Sequence, residues 1–396
     1  MIDLQDTREG IISVEKLRRK LGDRSAVVLK GKQRSVAIGS DLLIKVNVNI
    51  GANEKKAFAQ ERMKVKVLSR LGYRPDTMMD LSIIRLPKPI YEIAIGEFGG
   101  PIGTLPHYLC YHPVKGIDPG RLLEEIEKQA EAGVSWMTLH VTPRKDLYEK
   151  AKKIRQIPCA SRGGGIVIKD MYINKRSESV ISLCFNDILN IMQRYKVTLS
   201  IGTAFRPGTT IDALDKIHLT EILLQGDYIR AARKKGVQVM MEGVGHITLD
   251  KLQEYVRIIR SNYNIPYVPL GPMPTDVVGD QDHIAAAIGA AYMSMLGGAH
   301  MINAITSEEH TGNVPSLDSI VEGLKAARVA AHIVNISRFP QINVADRAVV
   351  DKRRKNYTCV IDGGLFTESA KTHFEMGCKR CRHECPLVIN YTLRKV

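Results

Sequence analysis

The chain predicts an α/β fold, a (β/α)8 barrel of the TIM type followed by a C-terminal arm. Strand-like apolar runs and amphipathic helix-like stretches alternate some eight times between about Leu42 and Ala331. Polar, ligating or glycine-rich residues collect just past the ends of nearly all the strand-like runs, at the rim where barrel enzymes build their sites. The alternation stops near Asn335, and three cysteines cluster in what remains. Eight units in ~250–300 residues favour a closed barrel over an open doubly wound sheet.

The strand-like runs are Leu42–Ile50, Thr77–Leu81, Ile102–Leu105, Ser135–Leu139, Ile157–Ala160, Val197–Ile201, Val237–Met241, Tyr267–Leu270 and Met301–Ile305. Nine runs for eight places means that at least one lies outside the barrel. Between them, apolar residues at three- and four-residue spacing with charged outer faces predict helices. These cover Glu54–Arg70, Arg121–Ala132, Asp146–Arg155, Val180–Tyr195, Leu219–Lys235, Leu249–Tyr263, His283–Leu296 and Leu317–Ala331. The expected division is an N-terminal segment over 1–40, the barrel with its active site over 41–335, and the arm over 336–396.

Apolar residues make up 44% of the 396, enough for a large core in an ordinary soluble protein. The start, MIDLQDTREG, carries charges where a signal peptide needs an apolar core, and the Ala/Gly-rich run Ile284–Ala299 falls short of the ~20 residues of a membrane span. A cytoplasmic protein without membrane contact is expected. Its 57 basic against 42 acidic residues give a formal charge of +15. The basic residues are dispersed and aromatics are 6%, so no stacking platform for nucleic acid is visible. A basic surface that draws in a phosphorylated small molecule fits the same charge.

Each rim stretch has a physical reading. In VQVMMEGVGH the apolar run Val237–Met241 stops at Glu242, and Gly243 and Gly245 leave the chain free to turn and bring Glu242 and His246 to one side. Ser161–Arg162–Gly163–Gly164–Gly165 offers backbone N–H groups beside a guanidinium, a cradle for a phosphate or otherwise a flexible loop. Arg206, on a turn at a neighbouring rim position, is placed to clamp the same anion. His246 and His310, with carboxylates nearby, suit Zn2+ or Fe2+ with open coordination positions. In the arm, Cys378, Cys381 and Cys385 stand at C-x2-C-x3-C. Three thiolates serve a [4Fe–4S] cluster that keeps one iron open; the rivals are a structural zinc completed by His373 or His383 and half of a ferredoxin-type run.

From roughly Arg8 to Ala331 the chain resembles the phosphomethylpyrimidine synthase family, radical S-adenosylmethionine enzymes of thiamine biosynthesis. The resemblance rests on REGIIS, IGSDLLIKVNVNIG, DTMMDLS, PIGTLPHY, MTLH, SRGGGI, FRPG, VQVMMEGVGH, LGPMPTD, DHIAAAIGAA and SEEHTG, which arrive in family order. It implies a (β/α)8 barrel, a homodimer with exchanged C-terminal arms, an external electron donor of the flavodoxin or ferredoxin type, and conversion of aminoimidazole ribotide into hydroxymethylpyrimidine phosphate by a lyase-class rearrangement. It makes Asn49, Met79, Tyr108, His140, Ser161, Arg162, Gly163, Arg206 and Glu242 substrate contacts, with Glu242 also catalytic. It makes His246 and His310 ligands of Zn2+ or Fe2+. Cys378, Cys381 and Cys385 become the ligands of a [4Fe–4S] cluster that binds S-adenosylmethionine.

The chain also departs from the family pattern. The family's cluster motif is C-x2-C-x4-C; Thr203–Ala204–Phe205–Arg206 stands for Asp-Gly-Leu-Arg; Val268 stands for a tyrosine and Val244 for a proline. A pocket that lacks a carboxylate and a phenol leaves the usual substrate's polar groups unpaired at ~1–3 kcal/mol each. Two alternatives therefore stand beside the leading reading. One is a relative acting on another precursor, on the way to 5-hydroxybenzimidazole or the pyridinol-iron cofactor of methanogen hydrogenase. The other is a non-catalytic basic barrel that binds RNA or a precursor.

Overall fold

Eight parallel strands form one sheet in the computed structural model, which describes residues 12–361, 363–366 and 380–394. Two short strands, β1 (Ala26–Lys30) and β2 (Ser35–Gly39), pair as an antiparallel hairpin before the sheet begins. The sheet strands follow as β3 (Lys45–Ile50), β4 (Thr77–Asp80) and β5 (Ile102–Thr104). A small antiparallel ribbon, β6 (Tyr111–His112) and β7 (Gly116–Ile117), interrupts the series. It resumes with β8 (Trp136–Leu139), β9 (Thr198–Ile201), β10 (Val239–His246), β11 (Tyr267–Met273) and β12 (Met301–Ala304).

The spatial order β11-β10-β9-β8-β5-β4-β3-β12 follows the chain order around a ring. The sheet nearly closes on itself: across the β11 and β12 edges His300 N donates to Tyr267 O at 3.0 Å and Asn303 Nδ2 to Pro269 O at 3.0 Å. The outer strand faces pack under helices in one large apolar cluster. Two of those helices start where a carboxylate satisfies a first-turn N–H group: Asp118 caps Pro119–Glu131 and Asp215 caps Lys216–Lys234. By contact density the chain divides into two compact units, Met1–Val334 and Asn335–Val396. The second contains the basic helix Val344–Lys355 and the short helix Pro386–Leu393. Among the described residues no helix is long and apolar enough to cross a membrane.

Four expectations change. Ile157–Ala160 forms no strand, because Asp212 takes the N–H groups of Gln156 and Ile157 at 3.1 and 3.0 Å and the run crosses the rim instead of joining the sheet. That removes the ninth candidate. The Ser161–Gly165 stretch is no loop: Ser161 caps the helix Arg162–Ile173, accepting from Gly164 N at 3.0 Å. Glu242 lies within a strand, since β10 stays paired with β11 through a register shift between Val244 and His246. The expected helix Val180–Tyr195 breaks at Cys184 into Val180–Leu183 and Phe185–Tyr195.

Residues 1–40 contain the β1–β2 hairpin, which covers the N-terminal end of the barrel. Val28 N donates to Gln238 Oε1 at 2.8 Å and Ser135 Oγ to Lys30 O at 2.6 Å, at the residues just before β10 and β8. Val27, Leu29, Val36 and Ile38 enter an apolar cluster with Met79, Trp136, Met240, Val268 and Met301 inside the ring. That end is thus stoppered, and the C-terminal end is left for chemistry.

Candidate active site

A cavity of about 370 Å3 opens at the C-terminal rim. Of the residues read from the sequence as site residues, Asn49, Met79, Tyr108, His140, Ser161, Arg162, Arg206, Glu242, His246 and His310 line it. Gly163 is absent from the wall but close behind it: a Cβ there would stand 2.3 Å from His140 Cε1 and 2.9 Å from His107 Nε2. Only glycine lets the first turn of this helix approach the two imidazoles.

Glu242 projects from β10 into the ring and is almost fully buried, 6% exposed. Thr138 Oγ1 donates to its Oε1 at 2.7 Å, and Ser200 Oγ lies at 3.5 Å. Burial pushes its carboxyl up from 4.5 to about 7, against the Thr138 hydrogen bond and the Arg206 charge. A carboxyl poised there can take or give a proton at neutral pH. His140 lies opposite, its Nε2 3.0 Å from Ser161 Oγ, and burial, then His107, then Arg206 hold its imidazole well below the usual range. Burial raises the Tyr108 hydroxyl to about 12 despite Arg162 and Arg206. The Arg162 guanidinium stands over the Tyr108 ring at 5.9 Å from its centroid. Two arginines and the N-terminus of Arg162–Ile173 therefore face one pocket, a combination suited to an anion.

At the outer edge the His246 and His310 rings meet edge to face, their centroids 5.1 Å apart. His246 Nδ1 is 2.6 Å from Asp276 Oδ1, and His310 Nδ1 is 2.7 Å from Asp282 Oδ1. An ionised carboxylate only accepts, so each Nδ1 donates and Nε2 is the ring nitrogen left for a metal. This is the carboxylate–histidine arrangement that orients metal-binding imidazoles, and the donor set fits Zn2+ or Fe2+. Among the described residues no group of three or more His, Cys, Asp or Glu that could hold a metal converges.

Cys378 and His373 lie outside the described residues. Cys381 and the buried Cys385 flank a 3-10 turn, Arg382–Glu384, and Cys385 stands at the N-cap of Pro386–Leu393.

Sequence reasoning missed Asp276 and Asp282, although both sit in quoted motifs, LGPMPTD and DHIAAAIGAA. It also missed Asn303, which receives a bond from Asn47 Nδ2 at 2.9 Å and lines the cavity. His107 lies in the short helix Pro106–Cys110 that follows β5. It is fully buried, and neither ring nitrogen finds a hydrogen-bond partner among the described residues. The departures from the family pattern have places too. Val268 packs among the apolar residues inside the ring, and Thr203 Oγ1 donates to the buried Glu221 at 2.6 Å.

Fold and pocket together describe a (β/α)8 barrel with a cavity at its C-terminal rim into which two arginines face. The comparisons narrow this further: residues 5–391 match the model of the radical SAM ThiC family, and the chain belongs to that family. It is 35% identical to the phosphomethylpyrimidine synthase of Sulfurisphaera tokodaii over 424 residues, covering 98% of this chain and 97% of the relative. The phosphomethylpyrimidine synthase of Carboxydothermus hydrogenoformans is 35% identical over 76% of this chain and 71% of its own. That of Pyrococcus abyssi is 33% identical over 88% and 81%. Family membership makes the protein a radical S-adenosylmethionine enzyme acting on a small molecule, and implies an iron–sulfur cluster.

Proposed function

We propose that the protein converts aminoimidazole ribotide into hydroxymethylpyrimidine phosphate, a lyase-class step of thiamine biosynthesis in the cytoplasm. The observation that carries this reading is the single rim cavity in which ten of the proposed site residues meet. Arg162, Arg206 and the N–H groups at the start of Arg162–Ile173 would hold the substrate's phosphate. Glu242, His140 and Asn49 would engage the heterocycle, Glu242 exchanging a proton with it near neutral pH. Cys378, Cys381 and Cys385 would hold a [4Fe–4S] cluster, and His246 and His310 a Zn2+ or Fe2+ ion. When bound, the cluster with S-adenosylmethionine would supply the radical chemistry for hydrogen abstraction. The apolar cluster inside the ring closes the barrel at the end opposite the cavity.

The working assembly we propose is a homodimer with exchanged arms, reduced by a flavodoxin- or ferredoxin-type donor. Ile284, Ile288 and Met295, exposed on one helix, support a partner surface. The test is anaerobic reconstitution with iron and sulfide. The wild type should gain the visible absorption of an iron–sulfur cluster and form 5′-deoxyadenosine with dithionite, and Cys381→Ala should lose both. A chain that takes up only zinc at these cysteines contradicts the proposal.

A further inference from the structure

One carboxylate joins the two halves of the rim. Asp276 Oδ1 lies 2.6 Å from His246 Nδ1, while its Oδ2 accepts from Thr209 Oγ1 at 2.9 Å, Thr210 N at 2.9 Å and Thr210 Oγ1 at 2.8 Å. Thr209 and Thr210 end the loop that starts with Arg206, and the backbone of that loop also touches the metal side, with His246 N donating to Pro207 O at 3.0 Å. The connection continues to the other wall of the anion pocket. Asp212, in the 3-10 turn capped by Thr209, holds the N–H groups of Gln156 and Ile157, five and four residues before Ser161. Gly208 lies against Ala160 and Ile157, with room for no Cβ: one there would come within 2.8 Å of Ala160 Cβ.

Asp282, the partner of the other histidine, makes no such link to the anion loop among the described residues. It is 1% exposed and receives His310 Nδ1 at 2.7 Å and His310 N at 3.3 Å. The two carboxylates therefore differ: one orients its histidine alone, and the other orients its histidine and fixes the anion loop.

We propose that Asp276 is a positioning residue that couples the two sites, so that metal at His246 and His310 and a phosphate monoester at Arg162 and Arg206 each tighten the other's binding. The proposal rests on the metal and anion sites of the preceding section. Metal on Nε2 holds the His246 ring in one orientation, which holds Asp276, which orders the loop bearing Arg206; an anion on Arg206 orders the same loop from its other end. Coupling of this kind is reciprocal by linkage.

The test uses the full-length chain, with Co2+ as metal probe and ribose 5-phosphate as anion probe. Co2+ at two imidazoles is followed by its visible d–d band, separate from the intense charge-transfer band of thiolate-bound Co2+. In the wild type, saturating ribose 5-phosphate should tighten Co2+ by about fivefold or more, and Co2+ should tighten ribose 5-phosphate by the same factor. Asp276→Asn should weaken Co2+ by about 10–100-fold and reduce the coupling to unity. Asp282→Asn should weaken Co2+ to a similar degree and leave the coupling in place. The pair Thr209→Val and Thr210→Val should reduce the coupling and leave Co2+ affinity without anion near its wild-type value. Circular dichroism and melting curves identify any variant that fails to fold. Both probes binding independently in the wild type, or coupling that survives Asp276→Asn, overturns the proposal. Co2+ binding that survives His246→Ala overturns the metal site itself, and the coupling with it.

Discussion

Glu242 and His107 are buried titratable groups at the pocket whose effects on stability run in opposite directions. Burial raises Glu242 from 4.5 to about 7, so between those values the folded chain holds a proton that the unfolded chain has released, and stability falls as pH rises through the window. Glu242→Gln removes this term. Its stability relative to wild type should rise by on the order of 3 kcal/mol from pH 4 to pH 8, read by denaturant unfolding, and a pH-independent difference would contradict the burial assigned here. Burial lowers His107 from 6.5 to about 3, so the unfolded chain takes up the proton first and stability is lost as pH falls below 6.5. His107→Leu should therefore gain about 2 kcal/mol relative to wild type on going from pH 8 to pH 5. Glu242 was legible in the sequence because it interrupts an apolar run. Asp276 and Asp282 were not, because a hydrogen bond between residues 30 apart, such as that of Asp276 to His246, exists only once the barrel has formed.

The helix Arg162–Ile173 shows how tertiary contact overrides local preference. Three consecutive glycines disfavour a helix, and by propensity the stretch reads as a loop. Gly163 fits beneath His140 and His107, and a Cβ on Gly164 would stand 2.6 Å from Ala204 Cβ, so these glycines are selected by space. Gly165 has nothing within 4 Å of its would-be Cβ. The two positions should answer alanine differently. Gly165→Ala should stabilise the protein by about 0.5–1 kcal/mol in thermal or denaturant unfolding. Gly163→Ala should displace His140 and lower turnover on the order of 100-fold, and unchanged kinetics would mean that the imidazoles do not face substrate. Ile157–Ala160 failed in the converse way. Its apolar residues suit a strand, but a carboxylate occupies the amides that a ladder would need.

At the scale of the whole molecule, periodicity made the barrel legible: eight of the nine strand-like runs are its strands, in the order in which they occur. The hairpin that closes the opposite end escaped notice, since β1 and β2 have five residues each and earn their place through contacts with β8, β10 and the ring interior. The rim residues could be listed from their positions past the strands, whereas their grouping into an anion wall and a histidine edge needed the closed ring. The central claim is that this ring, supplied with a cluster and S-adenosylmethionine, rearranges aminoimidazole ribotide. The measurement that tests it is product analysis by mass spectrometry after anaerobic incubation of the reconstituted protein with aminoimidazole ribotide, S-adenosylmethionine and dithionite. Hydroxymethylpyrimidine phosphate should form together with 5′-deoxyadenosine, and neither should form with Cys381→Ala; 5′-deoxyadenosine without the pyrimidine would contradict the assigned substrate.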